Sequence, residues 1–167
     1  MNKILSIILI LCFISCNSER KTEVSNTKIS KLNPELAGIY EYETPNKREN
    51  HQLYLDIEDN KLIGFYFGTE SSGEHGISHY GNPIENVNFE NNKIDFEIGI
   101  RELYESTRNK VYKPGQKLEN QESIGISRST LKYSGEIIKN KFILNCISEF
   151  NDCWENRMEF KKISELN

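Results

Sequence analysis

Glu74, His75 and His79 stand within six consecutive positions of the chain, and two imidazoles beside a carboxylate are a donor set that can hold zinc. A spacing of four puts two imidazoles on one face only in a helix. The surrounding stretch from Gly68 to Pro83, GTESSGEHGISHYGNP, carries four glycines, and no helix fits through it. The plainer expectation is a surface loop with incidental histidines, and no metal site is assigned. Long loops held at both ends by a scaffold are where recognition concentrates. Glu74, His75, His79 and Tyr80 are therefore candidate recognition residues. A second long connection, Glu102 to Ser123, holds Tyr104, Tyr112 and the turn Lys113-Pro114-Gly115. Its two tyrosines are candidates for the same role, with packing as the plainer reading.

Nothing in the sequence joins a nucleophile to a base. There is no Ser or Cys elbow, no Gly-rich phosphate loop and no acidic pair of recognised spacing. No enzyme activity and no cofactor are expected, and the alternative is a metal-dependent enzyme built on the Gly68 to Pro83 loop. Cys146 and Cys153 have six residues between them, where a redox pair wants about two, and no further ligands stand at metal-binding spacing. Trp154, the only tryptophan, either packs over a bond between these two cysteines or offers a stacking face to a ligand.

The compartment is legible at the amino terminus. Met1 to Ser15 reads MNKILSIILILCFIS, with Lys3 ahead of an apolar run from Ile4 to Ile14. At roughly 11 residues this run is too short to span a bilayer and has the length of a signal-peptide core. Its end, Phe13-Ile14-Ser15-Cys16, resembles the bacterial lipobox. That resemblance implies cleavage before Cys16, a diacylglycerol on the Cys16 thiol and an acylated new terminus. Several acyl chains anchor a soluble domain stably where one does not. The implied protein is a lipoprotein held in the outer membrane, facing the periplasm or the cell surface. In that oxidising compartment Cys146 and Cys153 are expected to form a disulfide. Residues 16–33 are polar, charged and poor in aromatics, the composition of a disordered tether.

About 150 residues remain after cleavage, enough for one domain and its core, which we assign to residues 34–167. The net charge is −4, with acids and bases interspersed, so there is no basic stripe for nucleic acid and no polybasic segment for anionic lipid. Membrane association is left to the lipid anchor. From Leu36 onward apolar and polar residues alternate, the period of a strand. Three hairpins stand out: Leu53 to Phe67 around Asp59-Asn60, Val87 to Ile98 around Asn91-Asn92, and Leu131 to Ile147 around Lys139-Asn140. With an opening strand at Gly38 to Glu43 and a last one at Arg157 to Ile163, the expectation is all-β. We count about eight antiparallel strands in an up-and-down barrel or barrel-like sandwich, since closure removes aggregation-prone edges.

The opening Leu36-Ala37-Gly38-Ile39-Tyr40-Glu41-Tyr42 is similar to the first strand of small lipocalin-like lipoproteins, with Tyr40 where that family carries Trp. The resemblance implies a ring packed across the barrel floor, an arginine near the last strand that Arg157 matches by position only, and a mouth holding a small apolar ligand. The function expected is a non-enzymatic binding module for such a ligand or for a protein partner. An envelope-protective inhibitor or immunity-type lipoprotein is the alternative within that class.

Overall fold

The structure is a computed structural model that describes residues 31–45, 49–71, 76–105 and 122–165. Cys16, Glu74, His75 and Tyr112 lie outside the described residues. Alternation of buried and exposed side chains builds eleven strands: β1 (Gly38–Tyr42), β2 (His51–Glu58), β3 (Lys61–Ser71), β4 (Ile77–Pro83), β5 (Glu85–Glu90), β6 (Lys93–Ile98), β7 (Arg101–Glu105), β8 (Ser123–Ser127), β9 (Leu131–Ile138), β10 (Lys141–Ser148) and β11 (Arg157–Ser164). One 3-10 turn, Pro34–Leu36, precedes them, and its start is capped by the Asn33 side chain, which accepts from the Glu35 N–H. All strand pairs are antiparallel and belong to one curled, barrel-like sheet.

Eleven strands replace the eight expected because three stretches of chain are each interrupted. Ile84 separates β4 from β5, Gly99-Ile100 separates β6 from β7, and residues 128–130 separate β8 from β9. At each break the halves keep the same neighbouring stretch: β4 pairs with β7 and β5 with β6, while β7 pairs with β8 and β6 with β9. The Ile84 N–H donates to the Gly64 carbonyl at 3.0 Å, so β3 stays bonded across the first break. The first strand pairs with the last, Glu41 opposite Lys161.

Two of the three hairpins turn on Asp and Asn, where left-handed backbone is cheapest, and the third turns on Lys139. Asp59 and Asn60 take φ of 50° and 58°, Asn91 and Asn92 take 51° and 63°, and Lys139 takes 58°. The Gly68 to Pro83 segment is largely strand rather than loop, since β3 runs to Ser71 and β4 begins at Ile77. Two of its glycines serve close approach: a Cβ at Gly68 would lie 2.6 Å from the Tyr80 hydroxyl oxygen, and one at Gly81 would lie 2.9 Å from the Phe65 ring. Glu102 to Glu105, expected in the second loop, belongs to β7, and Ser123 opens β8.

Period-two alternation points Leu53, Leu55, Ile94, Phe96, Phe142, Leu144, Met158 and Phe160 inward, all at 1 % exposure or less. Tyr40 crosses this core. Its ring meets Phe142 edge-on at 4.8 Å, and its hydroxyl donates to the Leu36 carbonyl at 3.0 Å. Arg157 is exposed on β11, in the outward phase of its strand, opposite to Met158 and Phe160.

Chain direction sorts the connections by length. The two-residue turns at 59–60, 91–92 and 139–140 all lie at the sheet end where β1 begins and β11 finishes. The connections 43–50, 72–76, 106–122 and 149–156 all leave from the opposite end.

Candidate functional site

That long-connection end holds a group of connected polar side chains around a buried arginine. Arg101 opens β7 directly after the Gly99-Ile100 break, in phase with Leu103, and so points inward with its side chain wholly buried. A buried guanidinium needs partners for nearly all its donors, and here the fork is filled. Nε and Nη2 donate to Glu70 Oε2 at 3.2 and 3.1 Å, and Nη2 reaches Asp152 Oδ2 at 3.1 Å. The Ser129 carbonyl accepts from Nη1 at 2.9 Å, and the hydroxyls of Ser127 and Ser129 accept from Nη2 at 2.7 and 3.0 Å. The cation also stands 5.1 Å from the centre of the Tyr80 ring.

Asp152 is placed by the covalent staple beside it. Cys146 ends the buried run of β10 and bonds Cys153 across a 5.9 Å Cα separation. The disulfide expectation therefore holds. Ser148 inside the closed loop and Ser129 from the break between β8 and β9 each donate a hydroxyl to one Asp152 oxygen, and the Asp152 N–H donates to Ser148 Oγ at 2.9 Å. Burial works to raise the Asp152 pKa, but the hydrogen bonds from both serines and the charge of Arg101 outweigh it and hold the carboxyl below its usual range.

Deeper in, a second network crosses the interior. Tyr133 donates to the Tyr66 hydroxyl at 3.1 Å, Tyr66 meets His51 Nδ1 at 2.9 Å, and His51 Nε2 lies 3.3 Å from Thr69 Oγ1. Thr69 Oγ1 donates onward to the Glu49 carbonyl at 3.4 Å. One arrangement of protons satisfies this chain, with Tyr66 donating to Nδ1 and the imidazole hydrogen on Nε2. Burial pushes the His51 pKa down to about 3 and keeps the ring neutral. Burial likewise lifts Tyr133 to about 12 and Tyr66 well above its ordinary value. Groups so far from neutrality neither take nor give protons near pH 7, and the network acts as a rigid polar filling.

Over this filling lies a cleft of about 450 Å³, bounded by Tyr42 at the end of β1, Glu49 before β2, Glu70 on β3 and the segment from Asn151 to Glu155. The Trp154 and Tyr42 rings lie 5.5 and 6.1 Å from that of His51. Trp154 thus stands in the cleft wall beside Cys153, where stacking on a ligand is open to it.

The remaining candidates do not gather here. His79 is a buried residue of β4, its ring stacked 5.8 Å from Tyr104, and neither lines the cleft. Tyr80 is in the interior against Arg101 rather than on a surface. Among the described residues no three His, Cys, Asp or Glu side chains converge as a metal site. Sequence reasoning missed Arg101, Glu70, Asp152 and His51. The signal for two of them was present: Tyr66, Gly68 and Glu70 share one strand phase, as do Arg101 and Leu103. No protein-family model matches this chain, and neither does any curated protein or solved structure.

Proposed function

We propose that this protein is a lipid-anchored, extracytoplasmic binding module without catalysis of its own, which presents its ligand cleft at the far end of a lipocalin-like barrel. The observation that carries the reading is the segregation of connections. Three tight turns occupy the end where the chain enters β1, and four longer connections leave from the end that bears the cleft. Small barrels place recognition in such mouths while the strands hold the loops apart.

Three features support the remaining parts. The signal-like run and Cys16 supply the anchor in sequence, and a bonded Cys146–Cys153 pair suits an oxidising compartment. The eleven strands, taken as eight stretches of chain each paired to the next and the last to the first, have the connectivity of an up-and-down barrel. Interior side chains at or near zero exposure direct the ligand to the cleft rather than to the barrel axis.

Phe150 and Ile147, 68 % and 67 % exposed near the Asn151 to Glu155 wall, favour a protein partner as the second reading, in the manner of an envelope-protective inhibitor. Native mass spectrometry of the full chain, recovered from membranes in mild detergent, separates the two. The expected result is an added small mass that disappears on unfolding and is absent from a Trp154→Ala variant. A bare chain mass overturns the small-ligand reading in favour of the partner.

A further inference from the structure

We infer that the Cys146–Cys153 disulfide is a redox lock on an arm formed by β7 and β8, and that Asp152 transmits its state. Two neighbouring interruptions mark the arm off from the rest of the sheet. Gly99-Ile100 separates it from β6, and residues 128–130 separate it from β9. Beyond them β7 and β8 pair with each other, and β7 meets β4 at its far end, where Tyr104 and Glu105 face His79 and Ser78. At its root the arm is held by side chains. The Asn82 amide donates to the Ile100 carbonyl at 2.8 Å, and Arg101 does the rest. Of the groups that accept from Arg101, Ser127, Ser129 and the Gly99 carbonyl belong to the arm or its interruptions. Glu70 on β3 and Asp152 in the disulfide loop are the two that lie outside it.

Asp152 grips both interruptions at once. The oxygen that accepts from Arg101, Oδ2, also accepts from the Ser129 hydroxyl, so one carboxylate ties the first residue of β7 to the stretch that leaves β8. Its own position follows from Cys153 beside it, bonded to Cys146 on β10. Opening that ring returns conformational freedom to the loop, and the carboxylate must then give up that freedom to hold the arm. The bond is reachable at one sulfur, since Cys146 is buried and Cys153 lines the cleft. A dithiol donor completes the chemistry. Its thiolate attacks Cys153 Sγ, and the Cys146 sulfur leaves and takes up a proton. The donor's second thiol then displaces Cys153 as a thiol and closes the donor's own disulfide, so that two electrons and two protons pass to the protein.

Hydrogen exchange followed by mass spectrometry, on the full chain in mild detergent, reads the arm directly. Reduction by dithiothreitol should speed exchange in peptides from β7 and β8 by at least about tenfold and leave those from β2 unchanged. Asp152→Asn should speed the same peptides about tenfold while the disulfide stays intact, because a neutral amide holds the guanidinium and Ser129 less firmly. Resistance of the folded chain to dithiothreitol overturns access through Cys153. Unchanged exchange in β7 and β8 after complete reduction overturns the lock, and equal acceleration in β2 does so too, since the bond then acts on the whole domain. Acceleration on reduction but none in Asp152→Asn overturns transmission through Asp152.

Discussion

Arg101 and His51 are both wholly buried, yet they solve the cost of burial in opposite ways. Arg101 keeps its charge and surrounds it with acceptors, whereas His51 gives up its charge and joins a chain of hydroxyls. Removing the cation strands two carboxylates selected to face it. Arg101→Met should therefore lower unfolding free energy by about 3–5 kcal/mol in urea titrations, the cost typical of a broken buried pair. Arg101→Lys should recover little, because an ammonium has no planar fork for Glu70, Asp152 and two serines at once. A loss under about 1 kcal/mol for Arg101→Met would show the network to be dispensable. His51 predicts the pH response. The unfolded chain binds a proton on this imidazole below about pH 6.5, whereas the folded chain does not until about pH 3. Acidification through that interval thus favours unfolding, and stability is fully present only above it. Between pH 8 and pH 5 the loss should be about 2 kcal/mol, before most carboxylates titrate, and His51→Gln should flatten the slope. Neither residue was legible from composition, which places charged side chains outside by default. Period two would have turned Arg101 inward, but five residues between a glycine break and a long connection give too short a window to trust.

At the scale of elements, the Cys146–Cys153 staple and its enclosed loop form a single device. The loop supplies Asp152 to Arg101, and the residue after the second cysteine supplies the indole of the cleft wall. Reduction, or the double change Cys146→Ser and Cys153→Ser, should cost roughly 2.5 kcal/mol by the entropy of closing so short a ring. It should also change Trp154 emission before global unfolding. Thermal melts followed by tryptophan fluorescence and by far-ultraviolet circular dichroism check this, and coincident transitions with unchanged native emission would argue against local release. The three hairpins and the cysteine pair could be read directly because their chemistry is local: Asp and Asn tolerate left-handed backbone, and oxidation pairs the nearest thiols. Strands β4, β7 and β8 could not. Gly68 and Gly81 look like loop residues, yet they make room for Tyr80, Phe65 and Phe67 across the ladder. That role exists only once the partner strand is in place.

For the whole molecule, the sheet has a polarity: the described chain enters β1 at the tight-turn end, and the cleft lies at the other. The lipid anchor proposed at Cys16 is tested separately. Cys16→Ala should release the protein from the membrane fraction without changing its denaturant midpoint, as measured on fractionated cells and on purified protein. Retention of the variant would overturn lipid anchoring. An all-β, barrel-like architecture was legible because alternation recurs along the chain, whereas the strand count was not, because Ile84, Gly99-Ile100 and residues 128–130 interrupt ladders without reversing the chain. The pairing of β1 with β11 has a further consequence for how the protein is made. Every other ladder joins stretches that follow one another along the chain, but this one joins residues 39–41 to residues 161–164. A chain emerging amino terminus first can zip its hairpins in turn, yet β1 keeps an open edge until β11 arrives. A product without β11 would keep open edges on both β1 and β10 and remain a target for proteases.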